Sequence, residues 1–294
     1  MSSRDDRRAV PVYLLITFAL SSVFYFLIIK SGHLGAGAGM YVVALMWCPA
    51  SAAMLTSKYL GRQVGSLGWK WGEAHYQVMS YLIPLAYATI TYSIVWLTGL
   101  GGVYDKKFVA AIIKSFGLGA LPPWAAIALY FVFAGTAGMV RSCASALGEE
   151  IGWRGFLVPA LARRFSFTAT AFISGCIWAA WHFPILIFAD YNAGTPTWYG
   201  LTCFTVMVVA LSFIFAWMRL RSGSLWTGVL LHGSHNLFVQ QFFDRITTDT
   251  GRTKYVIGEF GAGLAIVCIF FAAYFWMRRG EVTGSAVEAR AVAA

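Results

Sequence analysis

Apolar runs of about twenty residues recur along this chain, and they constrain its fold more than any other feature. They centre on 11–31, 39–58, 77–98, 122–147, 167–189, 200–218, 224–242 and 257–277. A segment inside the hydrocarbon core must satisfy its own backbone N–H and C=O groups, so runs of this length predict spanning helices. The expected fold class is all-α: a polytopic membrane protein with about eight transmembrane helices. Composition agrees, with 59% hydrophobic and 12% charged residues in a chain of 294, where a soluble domain carries about a quarter charged. We expect one transmembrane domain over 1–279, with its polar motifs in a core at 140–240. The small, polar stretch 280–294 is expected to be a disordered tail.

The net charge of +10 does not point to nucleic acid, because the basic residues sit singly or in pairs between apolar runs and form no basic face. Loops flanking membrane helices account for them, and they also set orientation. One set of links holds Arg4, Arg7, Arg8, Lys58, Arg62, Lys70, Arg163, Arg164, Arg219, Arg221, Arg278, Arg279 and Arg290. The alternate set holds Lys30, Lys106, Lys107, Lys114, Arg245, Arg252 and Lys254. The richer set marks the cytoplasmic side, which places both termini in the cytoplasm. The first run competes as a cleaved signal peptide, since "GAGAG" follows it, but its length and the later spans favour a retained helix. The five cysteines lie in or beside apolar runs without a CxxC pair and read as small buried hydrophobes.

An ionisable residue within a membrane span is costly, so each one is a functional candidate. In "GEEIGWRGF", Glu150 and Arg154 are i,i+4 neighbours and can pair. Glu149 points about 100° away around the helix and is left to face another partner. In "CIWAAWHFP", His182 lies deep in an apolar helix expected to end at Pro184, with Trp178 one turn earlier. In "LLHGSHNLF", His232 and Asn236 share a face and His235 leans toward it. Each cluster has a plain alternative: interfacial charges in a loop, a satisfied core histidine, polar glue between helices. Arg141 is the remaining charge within a span.

Depth raises a conflict. If 122–147 is one span, Glu149 emerges near the cytoplasmic edge. His182 lies about 25 Å from the "RRFS" turn, at ~1.5 Å per residue. The two meet only if the helix bearing Glu149 continues to about Arg163, kinked by Gly155 and Pro159, or if 122–163 holds two segments.

The order EExxxR, then WxxxH, then HxxHN resembles the CAAX-protease and bacteriocin-processing (CPBP) family of intramembrane proteases. Glu149, Glu150 and Arg154 match the first motif, and His232, His235 and Asn236 the third. Trp178 stands where the family usually has Phe before the histidine matched by His182. The resemblance covers about 140–240 and implies peptide-bond hydrolysis within the membrane. It implies Glu149 as general base with His182 beside it on the water, and His232 and Asn236 as oxyanion donors. Glu150, Arg154, Trp178 and His235 would support them.

Amide hydrolysis needs an activated water, a proton shuttle and oxyanion donors, and these residue types supply them. Metal-free catalysis is the preferred reading and no cofactor is expected. A zinc alternative would take Glu149, His182 and His232 as ligands with water fourth. The expected partners are the lipid bilayer and a peptide or membrane-protein substrate, with a prenylated one among the family's options. Two other functions compete: a non-catalytic scaffold or immunity protein, and a proton-relay transporter using the same Glu and His residues.

Overall fold

The computed structural model describes residues 3–282 apart from 118, 120 and 193. Among the described residues there is no β-strand, only an isolated bridge between Gly102 and Thr248. The fold is carried by α1 (Ser3–Ser31), α2 (Met40–Tyr59), α3 (Ala74–Leu97), α4 (Lys106–Phe116), α5 (Pro123–Ala162), α6 (Phe167–Phe188), α7 (Thr197–Ser222), α8 (226–246) and α9 (Ala262–Met277). The class is all-α and multi-pass, as the apolar runs predict.

Six of these helices, α1, α2, α3, α5, α6 and α7, are long and apolar enough to cross a membrane. The expected run 224–242 lies in α8, whose polar residues His232, His235, Asn236, Gln240 and Gln241 dilute it. The expected run 257–277 is shorter as a helix, because α9 begins only at Ala262. The preceding residues form a loop that serves the site. α4 lies in a link that carried no expected helix. The Asp105 side chain caps it by accepting from Phe108 N at 2.8 Å, and Gly117 ends it with a φ of 63°. Its Val109 and Ile112 are buried against Ala126 of α5. Pro184 does not end α6, which runs on to Phe188.

The depth conflict resolves into one helix. α5 spans 40 residues, about 60 Å at 1.5 Å per residue, twice the hydrocarbon thickness. Two π-helical turns, Ala134–Gly138 and Ile151–Leu157, break its regular winding. The second absorbs Gly155 and leads directly to Pro159, which opens the last regular turn, where a missing N–H is least disruptive.

Hydrogen bonds tie the links together at each end of the bundle. At one end, Leu34 N donates to Asp190 Oδ1 at 2.7 Å, Lys254 Nζ to Gly194 O at 3.0 Å and Tyr199 Oη to Tyr255 O at 2.6 Å. At the other, Leu225 N donates to Gly68 O at 2.8 Å and Trp276 Nε1 to Thr168 Oγ1 at 3.0 Å. The long helices therefore run up and down in order, with α4 as a side piece. The tightest approach is α2 on α5: a Cβ on Gly148 would stand 2.7 Å from Met46 O, so only glycine fits there.

Of the expected tail, Glu281 is described and its Oε1 accepts from Arg278 Nε at 2.6 Å. Residues 283–294 lie outside the described ones.

Candidate active site

α5, α6 and α8 bring their polar residues to a common depth. Glu149, Trp178, His182, His232, His235 and Asn236 all line one cavity of about 250 Å³. Glu150 and Arg154 sit directly behind its wall, 0% and 2% exposed. The rest of the lining is largely apolar, including Val42, Leu45, Met207, Leu211 and Phe215. Three links roof the cavity, contributing Leu34, Tyr191 and Glu259.

The two adjacent glutamates have separate environments. Glu150 Oε1 accepts from Arg154 Nη1 at 2.8 Å and from His232 Nδ1 at 2.9 Å. The Arg154 guanidinium is held flat, its carbon 4.0 Å from the Trp178 ring centre and 3.7 Å from that of Phe215. This is the desolvated, aromatic-flanked setting in which a buried cation is tolerable. The i,i+4 pair is as the spacing predicts; the His232 contact is additional and crosses from α8. A Cβ on Gly228 of α8 would stand 2.6 Å from Glu150 Oε2, so glycine lets α8 close on the pair.

Glu149 faces the other way. Its Oε2 accepts from Trp178 Nε1 at 2.8 Å and from Trp153 Nε1 at 3.2 Å. Both indoles can only donate, so Oε2 serves as an acceptor for both. Trp178 thus serves chiefly as a donor to Glu149, and its ring also lies 6.2 Å from that of His182. His182 Nδ1 lies 2.9 Å from the Trp178 carbonyl. A carbonyl only accepts, so Nδ1 carries the proton and a neutral His182 keeps its lone pair on Nε2. The same logic places the His232 proton on Nδ1, facing the Glu150 carboxylate.

His235 lies apart from the pair formed by His232 and Glu150. Its Nε2 is 3.1 Å from Glu259 Oε1 and its Nδ1 is 2.5 Å from Tyr87 Oη. The other Glu259 oxygen accepts from Tyr191 Oη at 2.9 Å. Asn236 makes no side-chain hydrogen bond among the described residues and opens the π-helical turn Asn236–Phe243. Sequence reasoning missed Glu259, Tyr191 and Gln240 as cavity residues. Glu259 could have been found, since it stands alone in the expected run 257–277 as its one acidic residue. Tyr191 and Gln240 carry no such signal. Arg141 lies outside this lining, exposed on α5.

Zinc would require Glu149, His182 and His232 to close on one point. Among the described residues, no group of three or more His, Cys, Asp or Glu side chains is placed to hold a metal ion. Glu149 gives one oxygen to two indoles, and the two imidazoles are oriented by different partners.

A cavity with a carboxylate and an imidazole on one wall and an amide on another can hold a water between acceptors and present donors to an oxygen opposite it. Residues 136–238 match the family of type II CAAX prenyl endopeptidases, Rce1-like. A similar curated protein is CAAX prenyl protease 2 of Methanococcus maripaludis, 33% identical over 108 residues, which are 35% of this chain and 38% of that protein. The chain thus matches under two-fifths of that relative's length. Both matches fall on the motif-bearing core, which is similar to CAAX proteases over that stretch.

Proposed function

We propose that the chain is an intramembrane endopeptidase that hydrolyses a peptide bond with a water activated by Glu149 and His182. The observation that carries this reading is the meeting of Glu149, His182, His232 and Asn236 on one buried cavity. Glu149 Oε2 is occupied by the two indoles, which leaves Oε1 for the water. His182 Nε2 is the second acceptor, so the water is held through both of its protons with its oxygen lone pair free to attack. One proton passes to Glu149 as the C–O bond forms, and returns to the amide nitrogen as the C–N bond breaks. The products are a carboxylate and an amine.

The oxyanion is met by Asn236, whose amide can donate, and by His232. His232 donates its Nδ1 proton to Glu150, so Nε2 can donate only in the imidazolium form. Glu150 supplies the negative charge that favours this form, balanced by Arg154 on its other side. The role of the first-motif pair is then electrostatic as well as architectural. No metal enters this scheme.

The substrate arrives in the plane of the bilayer as a peptide or membrane protein. The likeness to the Methanococcus CAAX prenyl protease makes a prenylated CAAX-type peptide the first to try. The excess of Lys and Arg in the links at the termini's end supports a cytoplasmic location for both termini. A scaffold has no need of acceptors and donors facing one another across a cavity, and the same arrangement describes a hydrolase more completely than a proton relay.

The test is cleavage of an internally quenched, farnesylated CAAX peptide by purified protein in detergent. Glu149→Gln should lower the rate by about 100-fold or more while the thermal midpoint stays close to wild type. A Glu149→Gln protein that cleaves at the wild-type rate would end this reading.

A further inference from the structure

Glu259 is a carboxylate on the same cavity as Glu149, and the mechanism above gives it no part. It stands in the link before α9 and is 8% exposed. Both of its oxygens are engaged: Oε1 by His235 Nε2 at 3.1 Å and Oε2 by Tyr191 Oη at 2.9 Å. A carboxylate only accepts, so the His235 proton is on Nε2 and its Nδ1 accepts from Tyr87 Oη at 2.5 Å. The result is one polar chain, Tyr87–His235–Glu259–Tyr191, running from α3 through α8 and the 247–261 link to the link after α6.

The two ends of that chain flank opposite sides of the proposed reaction. His235 directly precedes Asn236, the amide donor. The Tyr191 ring is stacked beside His182, 6.3 Å between centroids and 25° between planes. The two helices touch one turn away, where the rings of Trp178 and His232 lie 5.4 Å apart; at the level of His182 and Asn236 the cavity lies between them. We propose that Glu259 is a positioning residue: it ties the α8 turn bearing Asn236 to the link bearing Tyr191, and so fixes the distance between the oxyanion donors and the water-activating pair. This rests on the endopeptidase reading for its effect on rate, and on geometry alone for the coupling. A misplacement of about 1 Å is enough to cost a large factor in rate.

Two measurements test it on the full chain in detergent. The first is turnover of the farnesylated quenched peptide by Glu259→Gln, Tyr191→Phe and the double variant. Glu259→Gln should lower kcat at least tenfold with KM within twofold and the thermal midpoint retained. The double variant should be no worse than Glu259→Gln alone, because both cut one chain. The second needs no activity: spin labels at Phe188, exposed at the end of α6 just before the Tyr191 link, and at Arg245, exposed on α8, should give a distance distribution that broadens in Glu259→Gln and in Tyr191→Phe. If wild type fails to cleave the peptide, the functional reading has failed for that substrate and the label distances alone decide Glu259. An unchanged distance distribution, or an undiminished kcat in an active preparation, overturns the proposal.

Discussion

At the residue scale, two adjacent glutamates are given different work by one helical step of rotation. Glu150 is turned into the protein onto Arg154 and His232; Glu149 is turned onto the cavity. The partner of Glu150, Arg154, is held by ring faces as well as by charge, so a lysine cannot replace it. Arg154→Gln leaves Glu150 buried with a single partner and should destabilise the protein by about 3–5 kcal/mol, read as a fall in thermal midpoint by tryptophan fluorescence. Arg154→Lys should recover little of that loss, since an ammonium neither stacks flat between Trp178 and Phe215 nor matches the carboxylate fork. The i,i+4 pairing and the separation of the glutamates were legible in the sequence because both are properties of one helix. The third partner, His232, was not, because the contact joins residues of two helices. Glu259 was harder still: it acts from a link, where no periodicity points its side chain anywhere.

At the scale of elements, α5 decides where the site can be. A helix of ordinary length ending near Leu147 would leave Glu149 at an interface, exposed to water and unable to meet His182. Forty residues with two π-helical turns carry it inside. The sequence allowed either one long helix or two segments, and the choice turns on whether Gly155 and Pro159 break the helix or merely rewind it. A π turn does the second by inserting one residue per turn without losing the hydrogen-bonded ladder. α8 must then close on α5 at Gly228. Gly228→Ala pushes a methyl to 2.6 Å from Glu150 Oε2 and 3.2 Å from Arg154 Cγ. We expect this to cost on the order of 1–3 kcal/mol through overpacking, and to lower peptidase activity by disturbing His232. Thermal unfolding and turnover of the same preparation check both parts. A stable, fully active Gly228→Ala protein would show that α8 has room to spare.

For the whole molecule, the alternation of links gives eight crossings, with the start of α1 and the end of α9 at the same end of the bundle. The all-α, multi-pass class was legible from apolar run lengths alone, since lipid leaves the backbone few choices; of the eight expected spans, six are helices long and apolar enough to cross among the described residues. What could not be read was which links fold back over the cavity, because link conformation depends on long-range hydrogen bonds such as those of Leu34, Tyr191 and Lys254. The crossing order makes a prediction of its own. In a background cleared of the native cysteines, a single cysteine at Lys70 and one at Arg252 should react with membrane-impermeant maleimide from opposite sides of sealed vesicles. With both termini cytoplasmic, the Lys70 site reacts from the cytoplasmic side.

The roof of the cavity belongs to the links at the end of the bundle away from both chain ends, through Leu34, Tyr191 and Glu259. Whatever the absolute orientation, a reporter attached before α1 or after α9 sits at the end of the bundle away from that roof, so its fluorescence or protease sensitivity reports the compartment that the roof does not face.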